Sequence, residues 1–564
     1  MDDRKAVFGF VGLAAFFPVC SFSEAVLAQQ LPSGLPDPEL PTPQPLPSLP
    51  VLVPSNPESN PTAIPPEAIP GSVVIRKFEL LDNEILTPAE VAAVVAPYTL
   101  RQLSLVELLE VPRKLTELIV AKGYITTSAV IPPQEIEDRT VKIQIVPGTL
   151  EAIKITGLEQ IRDSYIRSRI ARGAASPLNQ NRLLNQLQLL QLNPLIENIS
   201  AELSQGIEPN TSLLEVDVTE ADTFNIGLSI DNSKVASIGT MSRDLELREN
   251  NFLGIGDRFI AAYSNSDGSD SLSNLSYQLP LSAANNSIGL SHNRGDNRII
   301  QEPFDELDIK NKTRYYALSY TQPLLQSPNR EVSLGLSLAR ESSKTTFLEG
   351  EPFPNVVGAT NSEGKTIVNT ASFSQDYLQR DRSSVFYLRS NFVLGLDVFD
   401  AVIDADKPDG KFLAWQGYAQ YLNQISPNST LSVESNIQLA NDSLVPIKQF
   451  TAGGIYSVRG YPQNALIGDN GVFVSTEFSH TLASNSSGKT RLEIIPFLDL
   501  GKVWNTETNI GKINTLVGIG TGLKLSIGKR LTARIDFGLP LVDLEVEGDS
   551  LQENGVYFSL RTQL

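Results

Sequence analysis

The chain has 564 residues, with 45 Lys and Arg against 64 Asp and Glu, and a formal net charge of −19. An acidic chain with no basic patch in its sequence is a poor nucleic-acid binder, so we expect no nucleic-acid partner. With one cysteine and two histidines, a metal site is not expected. No Ser/His/Asp set or carboxylate pair stands out either, so we predict no enzyme activity, catalytic site or cofactor.

Residues 1–28 resemble a secretory signal peptide, because two basic residues precede an apolar run of 15 residues. That run is short for a membrane-spanning helix. We predict cleavage after Ala28. The alternative is a lipoprotein anchored through Cys20, but the residues before it fit a lipobox poorly. No later stretch is apolar and long enough to span as a helix, so the secreted chain is predicted to be soluble or a closed barrel.

Residues 29–72 are proline-rich, with 14 prolines between residues 31 and 70. Proline fixes φ and lacks an amide donor, so this segment is predicted to be an extended linker and not a folded core. A segment that docks on another part of the protein, or threads through it, is the alternative.

Residues 73–148 and 149–221 repeat one order of elements, strand-helix-helix-strand-strand, in about 75 residues each. Thr87, Pro88 and Glu90 form a capping-box pattern before the first helix. Apolar residues at helical spacing predict the second helix, over 104–122. The strands of the first module are predicted over 73–80, 125–131 and 141–146. The second module is predicted to have strands over 150–155, 196–203 and 213–218, and helices over 164–171 and 179–190.

Residues 222–564 change to period-two alternation without helices, which indicates antiparallel strands. Apolar residues occupy every second position from Phe224 to Ile230, and their polar neighbours are small, which suits a water-filled lumen. These 343 residues predict a transmembrane antiparallel β-barrel of about 16 strands. A soluble β-solenoid or a string of sandwiches is the alternative, although sandwiches would need bulkier residues on their inward faces.

Two stretches, 359–366 and 483–490, have the spacing of a phosphate-binding P-loop, with Ala in place of the first Gly. A P-loop connects a strand to a helix, so that amides at the helix start face phosphate. Both stretches lead into strand-like runs, and we interpret them as hairpin loops. Gly518, Gly520 and Gly522 miss the dinucleotide-binding spacing and are predicted to lie in a strand.

The segment containing Gly123 and Tyr124 is followed by Pro132 and Gln134, and these residues resemble the first POTRA (polypeptide-transport-associated) domain of two-partner secretion transporters. Phe497 to Gly501 resembles a motif on a late barrel strand. Four consecutive residues resemble the signature of the loop that folds back into the barrel in this superfamily: Val458, Arg459, Gly460 and Tyr461.

The resemblance implies an outer-membrane transporter of the haemolysin secretion/activation family, with POTRA 1 at 73–148, POTRA 2 at 149–221 and the barrel at 222–564. It implies that the POTRA domains capture an unfolded exoprotein in the periplasm and that the barrel exports it. Exoprotein and outer-membrane lipid are the expected partners of a monomer. The chain departs from the pattern by ending in Leu564 where many such barrels end in an aromatic residue, and by a proline-rich segment where a plug helix can stand.

Two alternatives remain at this stage. A barrel-assembly insertase of the same superfamily usually carries more POTRA repeats, and a passive porin or receptor would not need two modules before its barrel.

Arg459 alone is typical of a solvent-exposed loop arginine, since Gly460 follows it. With the resemblance, we predict that the loop over 453–471 enters the lumen. Arg459 would then pair with Asp499, Glu477 or both, because each carboxylate lies in an otherwise apolar strand.

Overall fold

The structure is a computed structural model that describes residues 73–352, 360–403, 408–485, 488–507, 513–544 and 548–564. The predicted signal peptide, the proline-rich segment and any plug helix fall outside these ranges. The described residues form two compact units, one holding 73–222 with 253–256, and the other holding 223–252 with 257–564. Within these ranges no helix combines the length and apolar character needed to cross a membrane.

The first module has the predicted order of elements, with small additions. Its elements are β1 (Val73–Ile75), β2 (Lys77–Leu81), α1 (Pro88–Val95), β3 (Arg101–Leu103), α2 (Leu105–Ala121), β4 (Ser128–Val130) and β5 (Thr140–Val146). The single strand expected over 73–80 is wrong. It breaks at Arg76, whose amide donates to the Arg139 carbonyl oxygen (2.8 Å), so that β1 pairs with β3 and β2 with β5.

The strand expected over 125–131 is shorter than predicted. Its first residues lie in a turn, in which Thr127 N donates to the Tyr124 carbonyl oxygen (3.2 Å). The predicted capping box is present. The Thr87 hydroxyl accepts from Glu90 N (3.4 Å), and the Glu90 carboxylate accepts from Thr87 N (2.9 Å). The apolar stripe of α2 packs on the sheet, where Leu115 is fully buried.

The second module follows the prediction to within two residues at each end of its elements. These are β6 (Thr149–Thr156), α3 (Asp163–Ala171), α4 (Gln180–Gln191), β7 (Ile196–Gln205) and β8 (Thr211–Glu220). Its sheet has the order β6-β8-β7, with β6 parallel to β8 and β7 antiparallel to it. Helices α3 and α4 contribute the core residues Ile166 and Leu187, which are fully buried.

The rest of the described chain forms a closed antiparallel barrel, as predicted. Its elements are β9 (Phe224–Asp231), β10 (Ser242–Glu249), β11 (Arg258–Ser266), β12 (Ser269–Pro280), β13 (Ser287–Arg298), β14 (Lys310–Gln326), β15 (Arg330–Phe347), β16 (Glu351–Pro352), β17 (Lys365–Arg380), β18 (Ser384–Leu396), β19 (Leu413–Ser426), β20 (Ser429–Ala440), β21 (Phe450–Ala452), β22 (Leu466–Gly468), β23 (Asn470–Ser484), β24 (Thr490–Trp504), β25 (Thr515–Ile527), β26 (Leu531–Pro540) and β27 (Val556–Gln563).

Sixteen of these strands form the wall in the described ranges, and β27 closes it against β9. The short β16 pairs antiparallel with the end of β15, whereas β21 and β22 pair with each other. Side chains alternate between the two faces of the wall. On β14, Tyr315 faces inward and is buried, whereas Leu318 faces outward and is 44% exposed. An apolar outer face around a polar interior is the pattern of a membrane barrel.

Candidate functional site

The chain between β20 and β23, residues 441–469, folds back onto the inner wall of the barrel; we call it the lumen loop. Its strands β21 and β22 form a hairpin. Gly453 and Gly454 follow β21 with φ of +112° and +101°, a backbone conformation that glycine adopts without strain. Val458 and Tyr461 are almost completely buried, so the segment is packed against the wall and not suspended in the lumen.

The Arg459 side chain contacts both carboxylates named from the sequence. Its Nε donates to Asp499 Oδ2 (2.7 Å) and its Nη2 to Asp499 Oδ1 (2.9 Å), which is a bidentate pair. Its Nη1 donates to Glu477 Oε1 (2.5 Å). Arg459 is only 4% exposed and Asp499 is completely buried, so this is not a solvent-exposed loop arginine.

Two charged residues of β26 complete the site, and they were not predicted from the sequence. Arg534 Nη2 donates to Glu477 Oε1 (2.7 Å), and Arg534 Nε donates to Asp536 Oδ2 (2.8 Å). Asp536 Oδ1 also lies 3.7 Å from Arg459 Nη1. Two guanidinium groups therefore meet three carboxylates, and every buried charge has an opposite charge beside it, as burial requires. We call these five residues the charge cluster.

Neutral groups hold the Arg459 guanidinium in place on its other sides. Its central carbon lies 3.5 Å from the ring centroid of Phe497, an inward residue of the predicted wall motif. A cation over an aromatic face is attracted by the ring quadrupole. The Ser475 hydroxyl donates to Asp499 Oδ1 (2.6 Å) and accepts from Arg459 Nη2 (3.3 Å).

Three inward glycines on neighbouring strands form the surface on which the loop backbone lies. A Cβ at Gly501 would lie 2.6 Å from Val458, one at Gly518 would lie 1.9 Å from the Arg459 carbonyl oxygen, and one at Gly538 would lie 2.6 Å from Gly460 N. Only glycine allows an approach this close. Gly518 lies in a strand as predicted, and contact with the loop accounts for its lack of a side chain.

Tyr557, on the last strand β27, hydrogen-bonds to the backbone of the lumen loop at Gly460 and Tyr461. Its hydroxyl accepts from Gly460 N (2.9 Å) and donates to the Tyr461 carbonyl oxygen (2.6 Å). The Tyr461 hydroxyl in turn donates to the Val542 carbonyl oxygen (2.9 Å). Tyr557 was not predicted from the sequence, although it alternates there with the apolar residues Val556 and Phe558.

The POTRA motif residues lie in the first module, and Gly123 connects it to the second module. Gly123 ends α2 with φ of +92°, and its carbonyl oxygen accepts from Gln180 N (2.8 Å) of the second module. Tyr124 packs against the core of the first module. Gln134, two residues after Pro132, bridges the Lys142 amide (2.8 Å) and carbonyl oxygen (2.7 Å) through its side-chain amide. The motif therefore connects and braces the modules.

In their described residues, the two P-loop-like stretches lead into strands and not into helices. Gly364 and Gly488 lie in turns with positive φ, and the chain continues into β17 and β24. In the described ranges, no group of three or more His, Cys, Asp and Glu is arranged to hold a metal ion.

POTRA-type modules followed by a closed barrel with an internal loop define an outer-membrane transport protein of the POTRA-plus-barrel class. Family models agree with the residues that carry the resemblance. The model for the ShlB-type POTRA domain matches residues 73–148, and that for the haemolysin secretion/activation protein ShlB/FhaC/HecB matches residues 210–525. The chain belongs to the ShlB/FhaC/HecB family of haemolysin secretion/activation proteins.

Two relatives agree with this assignment. The heme/hemopexin transporter protein HuxB of Haemophilus influenzae is 20% identical over 491 residues, which are 83% of each chain. The outer membrane transporter CdiB of Escherichia coli is 24% identical over 485 residues, 81% of this chain and 77% of the relative. The predicted outer-membrane location is therefore confirmed.

Solved structures share the fold. That of CdiB from Escherichia coli has a TM-score of 0.69 at 20% identity, covering 89% of this chain and 93% of the other. That of BamA from Haemophilus ducreyi, lacking POTRA domains 1–3, has a TM-score of 0.51 at 15% identity, covering 88% of this chain and all of the other.

Proposed function

We propose that this protein is the transporter of a two-partner secretion system, which captures an unfolded exoprotein with its POTRA modules and exports it through the barrel. The observation that carries the proposal is the lumen loop bound to the inner wall by the charge cluster. A passive porin would not need the two modules that precede this barrel. Transport of this kind requires no chemical step, and we propose that the protein is not an enzyme.

The edge of β7 supports the capture step. This strand is ten residues long and pairs with β8 on one side. No described strand pairs with its other side, so its backbone groups can accept an added strand. The outer edge of β6 is less open, because Arg167 Nη1 donates to the Ile153 carbonyl oxygen (2.5 Å).

A photo-crosslinker at Glu202, on β7, should capture the exoprotein during export. The same crosslinker at Lys154, on β6, is the matched control and should capture much less, although both side chains are exposed. Equal crosslinking from the two positions would contradict capture at the β7 edge.

Deleting residues 73–148 tests the role of the modules. The barrel pairs through its own strands, so the deletion variant should still migrate as a heat-modifiable barrel, but it should not secrete its partner. Normal secretion by this variant would refute capture, and loss of the barrel would show that the module is needed for assembly.

Two further parts of the proposal concern the mature protein. We propose a monomer, because β27 pairs with β9 and the described wall offers no open strand edge to another barrel. We also propose cleavage after Ala28, which sequencing of the mature N-terminus would test.

Planar-bilayer conductance with and without the exoprotein would distinguish a transporter from a passive porin. Unimpaired assembly of other barrels in a deletion strain would weigh against an insertase.

A further inference from the structure

Seven basic side chains lie on the outer face of three neighbouring strands, β13, β14 and β15. They are Arg294, Arg298, Lys310, Lys312, Arg314, Arg340 and Lys344, and we call them the basic patch. The sequence predicts no basic patch, and on this face that prediction is wrong. These residues are dispersed over three strands, and only the strand pairing brings them together, in a chain with a net charge of −19.

The pairing register defines the patch. Arg294 is directly opposite Arg314, Lys312 is opposite Lys344, and Tyr316 is opposite Arg340. Their neighbours along the strands, such as Asn293 and Thr313, are buried on the inward side, so the basic side chains point outward.

Three of the seven cations have carboxylate partners. Arg294 pairs with Asp296, and Arg298 and Lys310 both pair with Asp308. In the described ranges, no carboxylate lies within ion-pair distance of the other four, Lys312, Arg314, Arg340 and Lys344. Arg340 Nη1 instead donates to Asn369 Oδ1 (3.3 Å) and to the Phe399 carbonyl oxygen.

An apolar groove of about 680 Å³ adjoins the patch on the same outer face. Arg340 lines it together with Leu290, Leu318 and Leu338, which are all strongly exposed. The rings of His292 and Tyr316 stack at 4.5 Å beside them, and Phe399, 80% exposed, lies at one end.

Short turns over 281–286 and 327–329 mark the periplasmic end of the barrel, so β13 and β15 run toward the outer end, and the cations occupy the outer parts of these strands. A cation that faces lipid is unfavourable at acyl-chain depth and tolerated at headgroup depth. Unpaired cations above an apolar groove are complementary to an amphiphile with an anionic head.

We propose that this surface binds a phosphorylated, multiply acylated glycolipid of the outer leaflet. Lys312, Arg314, Arg340 and Lys344 contact its phosphates, and the groove holds an acyl chain against Leu318 and Leu338. Arg340 stands at the boundary, where the headgroup meets the chains. The binding is independent of exoprotein capture and anchors this side of the barrel in its own membrane.

The test compares two double variants of the full mature protein in a neutral maltoside detergent. Arg314→Gln with Arg340→Gln removes two unpaired cations of the patch. Arg243→Gln with Lys502→Gln removes two exposed cations from the outer faces of β10 and β24, and is the matched control. The probes are diphosphorylated hexa-acyl lipid A, the same lipid without phosphates, and inorganic phosphate. Binding is measured by native mass spectrometry, and heat-modifiable migration verifies the fold.

The patch variant should bind diphosphorylated lipid A roughly tenfold to thirtyfold more weakly than the parent protein, because each surface cation contributes about a fivefold factor in binding to anionic lipid. The control variant should bind as the parent does, and the lipid without phosphates should bind weakly to all three proteins. Equal weakening in both variants, equal binding of the two lipids, or full displacement of the lipid by inorganic phosphate would each overturn the proposal.

Discussion

Two arginine–aspartate pairs face the lumen from different parts of the barrel wall, and they differ in which segments of the chain they join. Arg389 Nε lies 2.6 Å from Asp376 Oδ1, and the two residues are directly opposite on β18 and β17. Arg459 comes instead from the lumen loop and reaches Asp499 on β24. One pair joins neighbouring strands of a wall, whereas the other binds a separate segment to the wall.

Burial and the surrounding surface also differ. The side chains of Arg389 and Asp376 are 21% and 14% exposed, against 4% and 0% for Arg459 and Asp499. Glycines line the inner wall below Arg459, whereas the inward neighbours of Arg389 along β18 are Tyr387 and Asn391. A charge pair can hold a loop against the wall only where small inward residues allow the loop backbone to come close to the strands.

The largest expected effect follows from removing the loop's own charge. Arg459→Ala leaves the buried Asp499 and the partly buried Glu477 with fewer counter-charges, and such truncations cost about 2–5 kcal/mol. Export should fail while the barrel still assembles, as judged by secretion assays and heat-modifiable migration. Arg459→Lys should rescue only in part, because Lys cannot form the bidentate pair.

Arg389→Ala is the matched control for that variant, since it also removes an inward arginine paired with aspartate. It should leave export close to normal. If Arg459→Ala and Arg389→Ala secrete the exoprotein equally well, the pair that holds the loop has no greater role in export than the pair that joins two wall strands.

The next effect concerns the glycine surface. Gly518→Ala places a methyl group against the Arg459 carbonyl oxygen, and overpacking of this kind costs about 1–3 kcal/mol. The loop should be displaced, which an increase in protease cleavage within 441–469 would report. Gly227→Ala, on β9, is the control, because a Cβ there meets its nearest atom at 3.6 Å. Unchanged protection in Gly518→Ala would contradict the close contact.

A smaller effect is expected at Tyr557. Tyr557→Phe leaves Gly460 N and the Tyr461 carbonyl oxygen without this partner, which costs about 1–3 kcal/mol and less if lumen water replaces the hydroxyl. Loop protection should fall by less than in Gly518→Ala, with Tyr315→Phe on β14 as the control tyrosine. A larger loss of loop protection than in Gly518→Ala would show that the Tyr557 hydroxyl stabilises the loop more than the close contact at Gly518 does.

The smallest effect lies at an exposed ion pair, which sharpens the contrast with the buried one. The Lys122 ammonium and the Thr87 cap lower the pKa of Glu90 from 4.5 to about 2. Because the folded-state pKa is depressed, the stabilisation is present above pH 4.5 and is lost as the pH falls toward 2. Glu90→Gln should slightly lower the melting temperature of the helical circular-dichroism signal at pH 7, and should have no effect near pH 2.

Glu117→Gln removes another exposed helix carboxylate and serves as the control. A pH-independent effect of Glu90→Gln would show that the amide disturbs the cap itself and that the charge is not responsible.

The elements that could be predicted are those whose signal is local. The capping box at Thr87 and the alternation from Phe224 to Ile230 need only neighbouring residues, and the structure has both. The break at Arg76 could not be predicted, because β1 and β2 each take a partner far along the chain.

The candidate site divides in the same way. The resemblance pointed to Arg459, Asp499 and Glu477, whose contacts the structure describes. Arg534 and Asp536 were not found, because an inward charged pair on β26 looks like any polar pair facing a wet lumen.

The sequence by itself determined the order of modules, the inward and outward faces of the strands, and the family. Only the tertiary structure decided which residues meet across the lumen and which cations meet on the outer wall. Periodicity is set by the local geometry of the backbone, and so it is written in consecutive residues. Contacts such as Arg459 with Asp499, or Arg294 with Arg314, depend on strand register and on the path of a loop, which arise only when distant segments pack together.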